Sequence, residues 1–302
     1  MKNRKNKKDN KSAEKASLIG SLIQLTKPTI MFLVVMGGGT ALIIEGSLLY
    51  QPGKILLFFF GLFLTGGSAN ALNQYFERRI DSLMDRTRRR RPLPLNRISP
   101  AGALLFSVTI GIAGVILLGL AFNWLTGMLA LGTIMFYSLF YTLWLKPRTD
   151  QNIVIGGIAG AMAPLGAWTA ATGATAPIPW IIFLIIFLWT PPHFWALAIH
   201  CQNDYRKAGL PMYPLTRGEH TTMRHILYYT LALIPVSVTP IWFGAGWLYG
   251  LAAAILGAYY LYKTYLTMDK NSGIKPIDLF KYSIIYLPIL FVALIIDHFI
   301  PY

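Results

Sequence analysis

The sequence predicts an all-α integral membrane protein, and three observations predict it. Hydrophobic residues form 55% of the 302-residue chain and charged residues 13%, with a mean hydropathy of +0.51, a balance foreign to a water-solvated domain. Apolar runs close to the ~20 residues a helix needs to cross a bilayer recur along the chain. With the N-terminus inside, 26 of the 27 Lys and Arg residues fall in cytoplasmic segments and only Lys54 falls outside, as the positive-inside rule requires.

Residues 1–24 open on MKNRKNKKDNKSAEK, which is too charged for a signal-peptide core and reads as a disordered basic cytoplasmic tail. Residues 25–302 are expected to form a single polytopic domain. Its first span, 29–46, is entered through LTKPTI. The second, 54–73, carries ILLFFFGLFLTGGSANAL and runs into an acidic stretch. Spans at 101–121 and 126–145 follow, the latter ending in YTLWLKPRTDQN. The fifth, 153–172, contains IGGIAGAMAPLGAW. In the sixth, 179–200, Pro191 and Pro192 are expected to break or kink the helix at membrane depth. Spans at 225–243, 247–266 and 281–298 complete nine helices around an intramembrane cavity, and the odd count places DHFIPY outside. The outer loops are short and bland, whereas the inner loops after spans two and six are the longest, so the cavity is expected to open to the cytoplasmic side. The formal charge of +15 is mostly a topology signal; anionic lipid or an anionic substrate is the expected partner, and nucleic acid is not. A single cysteine, Cys201, excludes an intramolecular disulfide and a cysteine metal cluster.

The acidic stretch NQYFERRIDSLMDRTRRRRPL repeats Asn73, Glu77, Asp81 and Asp85 every four residues, a step that drifts only ~40° around a helix. One face then carries an amide and three carboxylates. Hard oxygen ligands so spaced suit Mg²⁺, which prefers a few carboxylates plus water and phosphate oxygens. The same spacing also suits a solvated helix end on which the acids pair with Arg78, Arg88 or Arg89. Arg86, Arg88, Arg89, Arg90, Arg91 and Arg97 follow closely, and guanidinium groups clamp phosphate through paired hydrogen bonds. Carboxylates for a metal beside arginines for phosphate describe a diphosphate site, in which Arg86 and Arg91 are the favoured contacts. Tyr141, Lys146 and Arg148 lie where the next inner loop could close it. Asp204, beyond the sixth span, reads either as a further metal ligand or as a helix cap. Of the five histidines, His193 stands out as a polar group between two prolines and two aromatic residues at membrane depth.

Together these stretches resemble the UbiA superfamily of intramembrane prenyltransferases, and in particular its haem-modifying branch. The likeness rests on LTKPTI, NQYFERRIDSLMDRT with RPLP and ISP, NIVIGGIAGAMAPLGAW, and PPHFWALAI followed by DYRKAGLPMYP. The chain departs from the pattern at Thr29, where Arg is expected, at Asn96, where Gly is usual, and at Ala208, where many relatives carry a second acid after Asp204. The resemblance implies transfer of a farnesyl group from farnesyl diphosphate to haem b, giving haem O, in a bacterial-type inner membrane. It implies Mg²⁺ held by Asn73, Glu77, Asp81 and Asp204, with Asp85 as a further candidate. Asp81, Arg86 and Lys146 would be catalytic; Arg86, Arg91, Tyr141, Lys146 and Arg148 would bind diphosphate, and His193 the porphyrin. Haem A synthase or oxidase assembly factors would be partners. Rival readings are a quinone-precursor prenyltransferase, a carrier for an anionic lipid or cofactor, and a non-catalytic haem chaperone.

Overall fold

Prolines set where most of the long helices begin. The computed structural model describes residues 17–269 and 271–301. Pro stands in the first turn of α2 (Pro28–Glu45), α3 (Pro52–Leu83), α5 (Pro100–Ala121), α8 (Ala163–Thr172), α9 (Pro177–His200) and α14 (Pro276–His298), where its missing N–H has no helical partner to lose. Between them lie α1 (Leu18–Leu25), α4 (Asp85–Arg88), α6 (Trp124–Met135), α7 (Asn152–Ala161), α10 (Gln202–Lys207), α11 (Tyr213–Arg217), α12 (Glu219–Val238) and α13 (Trp247–Met268). The backbone of α6 continues as a π-helix, Phe136–Leu145, and that of α12 as a 3₁₀ turn, Thr239–Phe243.

Four differences from the sequence expectation bear on function. Residues 1–16 of the expected tail lie outside the described residues, but its last part folds as α1. Ser17 caps that helix, accepting from the Gly20 N–H at 3.0 Å, and Leu25 joins a small core with Ala71, Leu93, Ile98 and Ala103. Secondly, α3 runs ten residues past the expected 54–73, because nothing in NQYFERRID stops a helix, and so carries polar side chains into the bundle. Thirdly, of the break or kink expected at Pro191 and Pro192, the break does not occur: α9 continues through both, and burial against neighbouring helices lets a membrane helix tolerate proline. Fourthly, eight helices among the described residues are long and apolar enough to cross a membrane. The segment expected as the eighth of nine spans is the 22-residue helix α13, whose five tyrosines and Lys263 lower its hydropathy.

Small residues close the seam between α3 and α5. A Cβ on Gly111 or Gly114 would come within 2.5 or 2.7 Å of Ser68 or Thr65, so backbones approach as in other packed membrane helices. Along this seam, against α6, lies an apolar recess of about 300 Å³ lined by residues such as Leu72, Ile112 and Ile134. Its lining among the described residues includes no charged side chain.

Candidate functional site

The last turns of α3 turn their polar face inward. Asn73, Glu77 and Asp81 are 2%, 3% and 0% exposed, which is affordable for carboxylates only if cations meet them. At Met84 the backbone becomes extended (φ −90°, ψ 129°), and α4 starts in a new direction. The Thr87 hydroxyl donates to the Asp81 carbonyl at 2.7 Å, folding the chain back. Buried Leu93 and Ile98 hold the return, and Asn96 sits at φ +52°. That left-handed position favours Gly and tolerates Asn, which accounts for the departure there. The turn delivers Arg91, whose guanidinium donates to Asp81 Oδ2 and lies 3.6 Å from Glu77 Oε2.

The opposite wall comes from the π-helix. Its wider turn places the Lys146 N–H on the Tyr141 carbonyl at 2.8 Å and rotates Thr142 and Lys146 toward α3. Such segments are rare and concentrate at functional sites. Lys146 Nζ donates to Glu77 Oε1, and Asn73 Nδ2 donates to Thr142 Oγ1 at 3.2 Å. From the third side comes Lys27, a left-handed residue (φ +52°) whose Nζ donates to Asn73 Oδ1 at 2.9 Å. Its conformation is held because Asn70 donates to the Thr26 carbonyl at 3.2 Å and Gln74 to the Leu25 carbonyl at 2.9 Å. Burial, then the Arg91 charge, brings the Lys27 ammonium down to about 7. Burial also opposes charge on Lys146, but Glu77 more than offsets it and leaves that ammonium above its ordinary value.

With Lys27 protonated, Lys27, Arg91 and Lys146 surround two carboxylates with an excess of one positive charge, and near neutral pH that third cation is only partly present. Among the described residues Asp81 Oδ1 is buried with no hydrogen-bond partner, an unused acceptor of the kind a hard cation satisfies. Among the described residues no group of three His, Cys, Asp or Glu is placed to hold a metal. Asn73, Glu77 and Asp81 are the oxygen donors that could hold a metal here, too few for a closed cage and suited to a Mg²⁺ that keeps water and phosphate oxygens.

Other candidates go elsewhere. Asp204 accepts from the backbone N–H groups of Asp85 and Arg86 at 3.1 and 3.0 Å, capping α4 from another part of the chain. Asp85 pairs with Lys207 at 2.5 Å and with Arg88, and is 42% exposed. Arg86 is exposed and takes part through its backbone. Arg148 is turned away, donating to the Trp144 carbonyl at 2.9 Å. Tyr141 is buried, stacked on Tyr137 at 5.3 Å and pressed against Gly156 of α7. His193, in α9, bonds through Nδ1 to Ser283 Oγ of α14 at 2.6 Å. Sequence reasoning missed Lys27 and Thr142. Lys27 stood inside the quoted LTKPTI, but its charge was already explained by topology; Thr142 gave no signal.

Residues 30–291 match the UbiA prenyltransferase family. The chain belongs to that family. A relative from Gloeobacter violaceus named protoheme IX farnesyltransferase is 44% identical over 284 residues, spanning 93% of each chain. One from Pseudomonas fluorescens, protoheme IX farnesyltransferase 1, is 44% identical over 92% of this chain and 93% of its own. Among solved structures, a digeranylgeranylglyceryl phosphate synthase superposes with TM-score 0.76 at 21% identity, over 93% of this chain and 98% of that one. A UbiA homologue from Archaeoglobus fulgidus bound to DMAPP and Mg²⁺ gives 0.64 at 16%, over 91% and 99%. The protein is thus a multi-pass membrane prenyltransferase of the UbiA family, and its helices adopt the family fold.

Proposed function

We propose that this UbiA-family chain transfers a farnesyl group from farnesyl diphosphate to a vinyl group of haem b, giving haem O. Relatives named protoheme IX farnesyltransferase across nearly the whole length support the substrates. The observation that carries the chemistry is the buried cluster in which Lys27, Arg91 and Lys146 meet Asn73, Glu77 and Asp81.

Its charge suits a diphosphate. A fully ionised diphosphate ester with one Mg²⁺ carries one net negative charge, which favours protonation of Lys27 and balances the one positive charge then in excess. Asn73, Glu77 and Asp81 would hold the Mg²⁺, whose chemistry is Lewis-acid neutralisation of the leaving group. Lys27, Arg91 and Lys146 are then free to turn their hydrogen bonds from carboxylate to phosphate oxygens. As the allylic C–O bond breaks, both electrons leave with the diphosphate, and these fixed cations stabilise the charge where it develops. Tyr141 and Tyr137 wall the site, and the apolar helices around it keep water from the cation-like farnesyl fragment. The haem vinyl group attacks that fragment, and water then adds to the resulting cation beside the macrocycle. Asp85 and Asp204 shape the turn carrying Arg86 and Arg91 rather than binding the metal directly. Arg148 is not assigned to the diphosphate.

With α13 counted as a span, the distribution of basic residues supports an N-terminus in the cytoplasm and a C-terminus outside, in a bacterial-type inner membrane, with the site near the cytoplasmic face. Haem A synthase or an oxidase assembly factor would receive the product. The test is mass spectrometry of haems extracted after membranes containing the protein are incubated with haem b, farnesyl diphosphate and Mg²⁺. Farnesylated haem made only with metal supports the reading. Diphosphate release only when a quinone precursor replaces haem b would overturn the acceptor.

A further inference from the structure

His193 and Ser283 meet where α9 packs on α14. Ser283 is fully buried, and its hydroxyl lies 2.6 Å from two groups, His193 Nδ1 and the Phe280 carbonyl oxygen. The hydroxyl has one proton. The carbonyl can only accept, so a proton must lie between the two oxygens; without it, lone pairs would face each other at 2.6 Å. The serine proton therefore points to Phe280, and Ser283 Oγ is left as an acceptor for His193. This requires the proton of the neutral imidazole to sit on Nδ1 and the lone pair on Nε2.

The ring is held in plane as well. Trp189, one turn earlier on α9, stacks on it at 4.2 Å and 20°, and Phe280 lies at 4.6 Å. Trp189 Nε1 itself donates to the Ser283 carbonyl at 2.9 Å, so α9 grips residue 283 at two points. Nε2 has no hydrogen-bond partner among the described residues, and the His193 side chain is half-buried. One nitrogen pinned as a donor with the other left free is the arrangement of a metal-ligating imidazole.

We infer that Ser283 is a positioning residue that fixes the tautomer of His193, so that Nε2 is presented as an axial ligand to the iron of the haem acceptor. The inference deepens the proposed function and rests on its haem acceptor. The test is resonance Raman spectroscopy of the purified full chain with ferrous haem b and no prenyl donor. The native complex should show an iron–imidazole stretch that disappears in His193→Ala and returns with added imidazole. Its frequency should lie above that of an imidazole complex lacking an acceptor for Nδ1–H. In Ser283→Ala the stretch should fall toward that reference and haem affinity drop by about 10–100-fold, while Ser283→Thr, which keeps the hydroxyl, should retain the native frequency. A native frequency already at the reference value overturns the role of Ser283 without any variant. Haem binding with no stretch dependent on His193 overturns the ligand and leaves the acceptor standing, whereas a native chain that binds no haem b overturns both.

Discussion

Glu77 and Asp81 lie at most 3% exposed among three cations, whereas Asp85, four residues further on, is 42% exposed and bonded to Lys207. In sequence the three acids are equivalent steps of one repeat. The helix that makes them equivalent stops at Leu83. Beyond the extended residue Met84 the repeat has no helical meaning, and Asp85 opens a separate turn capped by Asp204. A periodic motif thus predicts a shared face only as far as its helix lasts, and one motif here divides into a buried half that meets Arg91 and Lys146 and an exposed half that shapes the following turn.

The largest difference between the halves should appear in Asp81→Asn. The substitution keeps the shape but removes the charge opposite Arg91 and weakens the donor set for Mg²⁺. Haem product should fall by roughly a hundredfold or more, the scale of losing one fixed electrostatic contact at a reacting centre. Near-native turnover, measured by product mass spectrometry, would remove Asp81 from the chemistry. Next comes Lys146→Met, which leaves Glu77 buried without its nearest cation. Breaking one side of such a pair costs about 3–5 kcal/mol, so thermal unfolding in detergent should shift strongly downward and diphosphate binding weaken together.

Asp204→Ala should have an intermediate effect. It removes two hydrogen bonds to the N-terminal N–H groups of α4, a loss of about 0.5–2 kcal/mol for a cap, and loosens the turn that delivers Arg91. Activity should fall by several-fold with the Mg²⁺ requirement unchanged. A rise in the Mg²⁺ concentration needed for half-activity would instead return Asp204 to the metal and erase the division between the halves.

Most of the fold was legible because hydropathy, proline and Lys/Arg asymmetry act locally along the chain. The acidic repeat likewise led to Asn73, Glu77 and Asp81, and the basic run to Arg91. What stayed hidden depended on backbone events with no side-chain signature. The π-helix that turns Thr142 and Lys146 onto α3, the left-handed Lys27, and the extended Met84 are all such events. Arg148 shows the converse failure: its charge and position fitted the site, but a guanidinium at a helix end can also satisfy terminal carbonyls, and here it does.

The smallest effect is expected from Asp85→Asn. The Lys207 hydrogen bond, acting against slight desolvation and helped by Arg88, holds the Asp85 carboxyl below its ordinary value. A carboxyl lowered in the folded state adds stability above its unfolded value, and that contribution is lost as pH falls through the folded one. Native protein and Asp85→Asn should therefore differ slightly in thermal stability near neutral pH and converge in acid, with metal-dependent turnover the same in both. Equal turnover would confine the chemistry to the buried half, since Asp85 continues the spacing and charge of Asp81 but stands beyond the end of α3, exposed, and meets Arg88 and Lys207 instead of Arg91. A large loss of turnover, with stability unchanged, would mean that α4 rearranges to bring Asp85 inward when substrate binds.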